Sequence, residues 1–256
     1  ELKAEIASAI HQKQQVILFQ NRRGYSPYLI CGSCGFIPQC NHCDVSLTLH
    51  KYSKKLHCHY CGSIYPKLIE CTACGANQWL EKNFGTEKIE ELIQEEFPDF
   101  RIARMDVDSI RGKQAHDKLI QQVEQEQIDM LIGTQMVVKG LDFDKVSLVG
   151  VLDADGLLSF ADFRANERAF QLMEQVSGRA GRKSTKGKVI IQTYNPYHQI
   201  LQQVSTNAFN EMYKEQIDER WQYHYPPFYR LIKITLRHKD YNRVEEGANW
   251  LGSSFS

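Results

Sequence analysis

Apolar positions along the chain alternate between helical spacing and short continuous runs, and this alternation predicts an α/β fold. Leu2, Ile6 and Ala9 fall on one face of a helix, which leads into an apolar strand over residues 15–20. Later apolar runs predict strands at residues 79–84, 101–106, 129–134, 146–153 and 188–193. Helical patterns lie between them, at residues 86–97, 112–126 and 163–175. Strands that alternate with helices predict a parallel sheet flanked by helices.

Residues 31–74 interrupt this pattern and contain all the cysteines of the chain. These eight residues form four Cys-x-x-Cys pairs: Cys31/Cys34, Cys40/Cys43, Cys58/Cys61 and Cys71/Cys74. The two-residue gap lets neighbouring thiolates bind one tetrahedral ion, and the glycine that follows three of the pairs favours the tight turn. We therefore predict two zinc ions. The alternative is a disulfide-bonded loop, which requires a secreted setting of which the sequence shows no sign.

Two pairings of these four motifs are open. In a nested arrangement, one ion is bound by Cys40, Cys43, Cys58 and Cys61, and the other by Cys31, Cys34, Cys71 and Cys74. The 14 residues between Cys43 and Cys58 are close to zinc-ribbon spacing, and an outer site would join the points where the segment leaves and re-enters the sheet. An interleaved cross-brace is the competing arrangement. We favour nesting, with the histidines of this segment as bystanders.

Composition narrows the class of protein without identifying it. The 256 residues are 42% hydrophobic, enough for one large domain and a smaller one. The formal net charge is +0, so affinity for nucleic acid must come from local patches. The apolar runs are too short to span a bilayer, and we expect a cytoplasmic protein. Because the chain begins at Glu1 and stops within a continuing element after Trp250, we expect a fragment of a longer protein.

Two segments that border predicted strands have the chemistry to bind nucleic-acid phosphates. Arg22 and Arg23 directly follow the first strand, at the edge of the sheet where open α/β folds bind ligands. Gly85 and Thr86 begin a predicted helix, whose N-terminal amides can bind a phosphate. Arginines after a strand are also common on plain surfaces, and Thr86 also suits the role of a helix N-cap alone. Contact with a nucleic-acid backbone is therefore a hypothesis for both segments.

The loop at residues 134–143 combines groups suited to two ligands. It places a hydroxyl, an amide, a lysine, a glycine and an acid directly after a predicted strand. At its start, Thr134 and Gln135 suit a nucleic-acid phosphate. Further along, Gly140 and Asp142 suit the ribose of a nucleotide.

Residues 175–182 read Gln-Val-Ser-Gly-Arg-Ala-Gly-Arg and have the chemistry of a phosphate clamp. On a helix, Arg179 and Arg182 would lie nearly one turn apart on one face, and the neighbouring glycines leave the backbone open to a highly charged ligand. The alternative is a basic helix end closed by a Gly-rich turn, which the helix dipole favours by itself.

These motifs resemble those of known helicases. Residues 175–182 resemble motif VI of superfamily 2 helicases, and residues 134–143 resemble motif V. With the eight cysteines, Gly85-Thr86-Glu87 and Tyr225-Pro-Pro-Phe228, they make the chain similar to the primosomal protein N-prime family of bacterial replication-restart helicases. The resemblance implies that Arg179 and Arg182 act catalytically on the γ-phosphate of an ATP held mainly by a neighbouring lobe, with Gln175 beside the nucleotide.

The resemblance also implies a domain organisation and a function. Residues 1–30 and 75–196 are expected to form a second, RecA-like helicase lobe, residues 31–74 its binuclear zinc insertion, and residues 197–256 the truncated start of a C-terminal α/β domain. The intact protein is then an ATP-dependent 3′–5′ DNA helicase, with Mg and ATP as substrate, that recognises stalled or repaired forks and restarts replication by primosome assembly. Implied partners are DNA forks, single-stranded DNA, primosome proteins and single-strand-binding proteins, and we expect a monomer without membrane contact.

Two motifs of a complete ATPase do not occur in the sequence. It contains no Gly-x-x-x-x-Gly-Lys-[Ser/Thr] loop and no Asp-Glu-x-His box, so we expect this chain alone to hydrolyse no ATP. A second interpretation, from a different class, is a non-catalytic zinc scaffold that recruits proteins or single-stranded DNA, and it leaves the arginine pair unexplained. A third, another superfamily 2 translocase, leaves the cysteines unexplained.

Overall fold

The structure is a computed structural model that describes most of the chain. The described residues are 1–20, 28–43, 45–50, 54–58, 61–82, 86–106, 109–110, 113–138, 145–181, 187–232, 234, 236, 238 and 240–255. The chain divides into two compact units, Glu1–Glu219 and Arg220–Ser256. None of the helices in the described ranges has the length and apolar character that a membrane span requires.

The elements follow one another in an α/β order broken by a run of short strands. The helices are α1 (Leu2–His11), α2 (Thr86–Glu96), α3 (Lys113–Glu124), α4 (Gln135–Val138), α5 (Ala154–Leu158), α6 (Ala165–Ser177), α7 (Gln199–Ser205), α8 (Phe209–Gln222) and α9 (Tyr241–Ser254). The strands are β1 (Gln15–Phe19), β2 (Tyr28–Cys31), β3 (Thr48–His50), β4 (Lys55–His57), β5 (Ile64–Pro66), β6 (Trp79–Lys82), β7 (Ile102–Met105), β8 (Met130–Gly133), β9 (Val146–Val151) and β10 (Lys188–Ile191).

The first unit is built on a parallel sheet with strand order β10-β9-β1-β8-β7. The central strand is β1, in which Ile17 lies opposite Leu131 of β8 and Val149 of β9. Every residue of β1, β8 and β9 is buried, as expected for parallel strands covered on both faces. The predicted parallel sheet flanked by helices is therefore confirmed.

Helices bury both faces of this sheet. On one face, Ile6 of α1 and Ile93 of α2 pack against the sheet around Leu18 of β1. On the other face, α6 contributes Phe170 and Met173, both fully buried, and α5, α7 and α8 pack around them. Because the apolar residues of α6 recur at helical spacing, its opposite face carries exposed glutamines.

The Cys-rich segment forms small sheets of its own. Strands β2 and β6 make an antiparallel ribbon in which Cys31 lies opposite Trp79, and β3, β4 and β5 make a second antiparallel sheet. From the sequence we expect residues 79–84 to re-enter the main sheet, but β6 pairs with β2 instead. β8 and β9 occupy both sides of β1, so β6 cannot pair with the strand from which the segment departs. The ribbon extends the insertion beyond the expected range of 31–74, and we call residues 28–82 the cysteine module.

The second compact unit begins later than the sequence indicates. We expect a new domain from residue 197, but Ile200 and Val204 of α7 are buried in the same core as α6, and the units divide after Glu219. Within the second unit, Trp221 packs edge-on against Phe228 with ring centroids 5.3 Å apart. The alternating pattern at 231–236 predicts a strand, yet the described residues of that stretch are not in one, since a strand requires a paired neighbour.

Candidate functional site

The eight cysteines gather into two groups of four, and none of them is in a disulfide. The outer site consists of Cys31, Cys34, Cys71 and Cys74, and the inner site consists of Cys40, Cys43, Cys58 and Cys61. The nested arrangement is therefore confirmed, and the interleaved cross-brace is wrong. The outer site joins the two strands of the ribbon, since Cys31 ends β2 and Cys71 and Cys74 precede β6.

The sulfur positions fit zinc. The Sγ atoms of Cys31 and Cys74 lie 3.6 Å apart in the outer site, and those of Cys40 and Cys61 lie 3.6 Å apart in the inner site. Four thiolates at about 2.3 Å from a tetrahedral zinc ion lie about 3.8 Å from one another. All four sulfurs of each site lie within 4.8 Å of one another. Each site therefore has the ligand type, number and spacing of a closed, structural zinc centre.

Tight turns place the paired thiols. The amide of Gly35 donates to the carbonyl of Cys31 at 2.9 Å, and Gly62 and Gly75 donate in the same way to Cys58 and Cys71. All three glycines have a φ of +75°. A residue with a side chain rarely adopts this backbone conformation, so the glycine after each of these pairs is required by the turn.

Local hydrogen bonds prepare one thiol of each site for metal binding. Burial opposes ionisation of Cys31, but the backbone amides of Cys34 and Ser33 donate to its sulfur and lower its pKa to about 6. Burial likewise opposes ionisation of Cys61, but hydrogen bonds from Ser63 lower its pKa to about 6. The thiolate is the form that binds a metal. These two thiols are thus favoured in the ligand state that zinc requires, whereas burial raises the pKa of Cys43 in the inner site.

The histidines near these sites are outside both ligand groups where the structure describes them. His50 of β3 and His57 of β4 stack on each other with ring centroids 3.9 Å apart. Their cross-strand contact stabilises the second sheet of the module. The expectation that they are bystanders is consistent with this packing.

Two of the segments predicted to contact nucleic acid are only partly described. Arg22, Arg23 and Gly85 lie outside the described residues. Thr86 is the first residue of α2 rather than its N-cap, and its buried hydroxyl donates to the buried carboxylate of Asp106. A contribution of Thr86 to phosphate binding must therefore come from its backbone at the start of α2.

Residues 134–143 and 175–182, which resemble motifs V and VI, each contribute one described residue to a groove of about 400 Å³. Gln135 of α4 and Gln175 of α6 both line it, together with Phe160, Arg164 and Arg168. The sequence predicts that Gln135 contacts nucleic acid and that Gln175 contacts a nucleotide, and the structure places both residues at the same groove. Of their motif V neighbours, Thr134 is buried at the end of β8, whereas Gly140 and Asp142 lie outside the described residues.

The predicted arginine clamp begins beyond the helix. The last residue of α6 is Ser177, so Arg179 lies in the following turn, half-buried, with its amide donating to the Val176 carbonyl at 3.0 Å. Gly181 then adopts a φ of +73° and donates to the carbonyl of Val146 in β9. The expectation that one helix carries both arginines is therefore wrong. Arg182 lies outside the described residues.

Sequence reasoning assigned no role to three carboxylates at the carboxyl edge of the sheet, of which Asp106 and Asp155 are buried and Asp153 is partly buried. Asp106 accepts the amide of Ser109 at 2.8 Å in addition to the Thr86 hydroxyl. Asp153 caps α5 by accepting the amide of Gly156 at 3.0 Å, and it accepts the hydroxyl of Tyr28 at 2.9 Å. Asp155 accepts from Thr193 and Tyr194, and burial raises its pKa. Their position at the ends of predicted strands or just beyond them was the signal that could have identified them.

Comparison with known proteins gives matches for both parts of the first unit. Residues 40–66 match the family described as the PriA DNA helicase Cys-rich region domain, and residues 80–184 match the helicase conserved C-terminal domain. The replication restart protein PriA of Bacillus subtilis is 43% identical over 94% of this chain and 30% of its own length. PriA of Synechocystis is 42% identical over 96% of the chain and 29% of its own length. PriA of Haemophilus influenzae is 39% identical over 90% and 32%.

The fold and the sites define a class of protein, the C-terminal lobe of a superfamily 2 helicase. The lobe is RecA-like in fold, and the cysteine module with its two four-cysteine sites is inserted after the first strand. More particularly, the chain is homologous over about nine-tenths of its length to the replication restart protein PriA family. The resemblance stated from the motifs is therefore confirmed. The chain spans about three-tenths of the length of these relatives.

Proposed function

We propose that this chain is part of an ATP-dependent 3′–5′ DNA helicase that recognises stalled or repaired replication forks and restarts replication by primosome assembly. One observation carries the proposal: the same compact unit contains both the groove lined by Gln135 and Gln175 and the cysteine module. The matches to a helicase C-terminal domain and to a PriA Cys-rich region support it.

In this proposal the lobe supplies one half of an ATP site. Arg179 and Arg182 stabilise the negative charge that develops on the γ-phosphate, while Gln175, Gly140 and Asp142 contact the rest of the nucleotide. An arginine that acts across a cleft stabilises the transition state more than the bound substrate. The phosphate loop and the acid that holds Mg²⁺ come from another lobe, because this sequence contains neither. The chain alone is therefore inactive.

The DNA contacts lie along the carboxyl edge of the sheet. Phe19 of β1 lies opposite Gly133 of β8, so the carboxyl ends of these two strands lie side by side. Arg22, Arg23, Thr134 and Gln135 then bind the DNA backbone. Gly85 and Thr86 add a phosphate contact, for which Thr86, the first residue of α2, supplies its backbone. Phosphate contacts of this kind position a protein on DNA without reading sequence.

The two zinc ions hold the cysteine module rigid, and the module gives the lobe a surface for forked or single-stranded DNA, for primosome proteins or for single-strand-binding proteins. The functional unit in this proposal is a monomer in the cytoplasm. No step of ATP hydrolysis passes through the zinc ions, because all the ligand positions of each site are thiols and none is open for a substrate.

The ATP half-site is tested by turnover in the full-length helicase. Arg182→Ala should lower kcat for DNA-stimulated ATP hydrolysis roughly a thousandfold or more, with a smaller loss of nucleotide binding. Arg243→Ala, which removes an exposed arginine on α9, should leave turnover unchanged. This chain alone should show no hydrolysis above background. Near-normal turnover by the Arg182 variant would remove the clamp from the proposal.

The second candidate function is a non-catalytic zinc scaffold. It is favoured by the small buried core of the module, formed by Leu29, Leu47 and Leu56 among others, which is separate from the cores of the lobe. Replacing Cys40 and Cys43 with serine in the full-length protein distinguishes the two. A helicase with a coupled module should keep DNA-stimulated ATP hydrolysis and lose unwinding, whereas a scaffold should show no DNA-stimulated hydrolysis in either form.

A further inference from the structure

Tyr28 and Gly35 of the cysteine module both contact the lobe. The ribbon does not pair with the main sheet, and the buried core of the module is a cluster of its own. Side chains alternate along β2, so Leu29 faces the core of the module while Tyr28 points the other way. The Tyr28 hydroxyl donates to Asp153 at 2.9 Å, although 125 positions separate the two residues. One hydrogen bond thus joins the ribbon to the carboxyl end of β9.

A second contact joins the outer zinc site to the lobe. A Cβ atom added to Gly35 would lie 2.9 Å from the carbonyl carbon and oxygen of Tyr194 and 3.0 Å from the side chain of Asn195. The turn that carries Cys31 and Cys34 therefore packs directly on the backbone that follows β10. That backbone is itself fixed, because the amide of Tyr194 donates to Asp155 at 3.0 Å.

Both contacts converge on α5. Asp153 is the N-cap of this helix and Asp155 lies in its first turn. The cap leaves no room for a side chain at Gly156, where a Cβ would lie 2.4 Å from Asp153 Oδ2. At its other end, α5 contributes the buried Leu157 to the groove that holds Gln135 and Gln175. One short helix thus touches the attachment of the module at one end and the motif groove at the other.

We propose that Tyr28 is a positioning residue whose hydrogen bond to Asp153 fixes the cysteine module on α5 and so links the position of the module to the shape of the motif groove. Burial and the nearby Asp153 raise the pKa of Tyr28, which keeps the phenol protonated as a donor. The functional role of this link rests on the proposed helicase function, whereas the contact itself is present in this chain whatever that function is.

The link itself is tested in this chain with zinc bound, by hydrogen exchange of the backbone amides. Tyr28→Phe removes only the hydroxyl, and exchange in β2, β6 and α5 should become roughly five- to tenfold faster, with two zinc ions retained and β4 unchanged. Gly156→Ala displaces Asp153 from the lobe side and should speed exchange in β2 in the same way. Tyr197→Phe is the control, since its side chain is 87% exposed, and it should change nothing. Unchanged exchange in both test variants would overturn the proposal.

The purpose of the link is tested in the full-length helicase. Tyr28→Phe should lower the number of base pairs unwound per ATP by about fivefold or more while the rate of DNA-stimulated hydrolysis changes less than about twofold. A parallel fall of hydrolysis, unwinding and zinc content would make Tyr28 a structural residue only and overturn its positioning role. Failure of the wild-type protein to hydrolyse ATP or unwind DNA would instead refute the proposed function, and the exchange experiment would then decide the link by itself.

Discussion

The lobe and the cysteine module are stabilised in different ways. In the described residues of the lobe, buried apolar side chains form clusters on both faces of the sheet, with Leu18 and Phe170 fully buried. The buried cluster of the module is smaller, and it includes the metal ligands Cys40 and Cys58. The lobe therefore has a core that needs no metal, whereas the core of the module is built around its ligands. This difference implies that metal controls the fold of the module alone.

Of the changes predicted here, removal of the metal should produce the largest difference between the module and the lobe. We expect two zinc ions per chain by native mass spectrometry of freshly reduced protein. Chelation should unfold residues 31–74, because structural zinc contributes about 10–16 kcal/mol to the folding of small zinc domains. The cooperative thermal transition of the lobe should remain, since its apolar strands lie outside the module.

The measurement is differential scanning calorimetry with and without chelator, combined with hydrogen exchange of β4 and β9. Exchange should rise to the unfolded rate in β4 and stay slow in β9. Loss of the whole cooperative transition on chelation would show that the two regions fold as one. One bound ion, or none, would overturn the assignment of two complete sites.

Truncating one buried side chain in each core should affect only the region that contains it, and no chelator is needed to see this. Phe170→Ala empties a fully buried position in the lobe and should lower the free energy of unfolding of the lobe by about 3–5 kcal/mol. Zinc affinity, measured by competition with a chromophoric chelator, should not change. Leu56→Ala is the matched variant in the module, where the side chain is 1% exposed, and should weaken zinc binding while leaving the transition of the lobe in place. If either variant changed both the free energy of unfolding of the lobe and the zinc affinity to the same extent, the two cores would not be separate.

The sequence predicts those features that repeat at a fixed spacing. The paired thiols and the gap of 14 residues between Cys43 and Cys58 favour the nested sites that the structure shows, because a two-residue gap and a ribbon-length loop leave few geometries for a tetrahedral ion. The apolar runs at 129–134 and 146–153 likewise predict the buried strands β8 and β9. The spacing of side chains within a segment is a local property, so a single sequence is enough to reveal it.

Contacts between distant residues cannot be read from such spacing. Nothing local predicts that Tyr28 and Asp153 meet, or that the Thr86 hydroxyl is occupied by Asp106. The end of α6 is another example, since the turn after Ser177 is fixed by the bond from Gly181 to Val146 of β9. The sequence therefore predicts the eight thiol ligands and favours their nested arrangement, whereas it predicts the groove only as separate motifs, because tertiary packing decides how those motifs meet.

The smallest predicted effect concerns the amino-terminal edge of the sheet, opposite the edge that carries Asp153 and Asp155. Here Arg101 precedes β7 and Asp129 precedes β8, and the guanidinium binds the carboxylate through two bonds of 2.5 and 2.9 Å. The hydrogen bonds from Arg101 lower the pKa of Asp129 below its usual value. A carboxyl whose pKa is lower in the folded state stabilises the protein above the pKa of the unfolded state, and this contribution is lost as the pH falls through the folded value.

We therefore expect Asp129→Asn to lower the free energy of unfolding by roughly 0.5–1 kcal/mol at pH 7, since Arg101 is more than half exposed and solvent weakens the pair. The difference between variant and wild type should shrink as the pH falls below about 4, the usual pKa of an aspartate, and should be lost as the pH falls through the lower folded pKa of Asp129. Denaturant unfolding from pH 2 to 7 measures it, and zinc release in acid cancels because both proteins bind zinc equally. Glu91→Gln breaks an exposed pair with Lys88 and is the control, for which we expect a smaller change at every pH. If the Asp129 difference persisted unchanged at pH 2, loss of the ion pair would not explain it, and the contribution assigned here to the pair of Arg101 and Asp129 would be refuted.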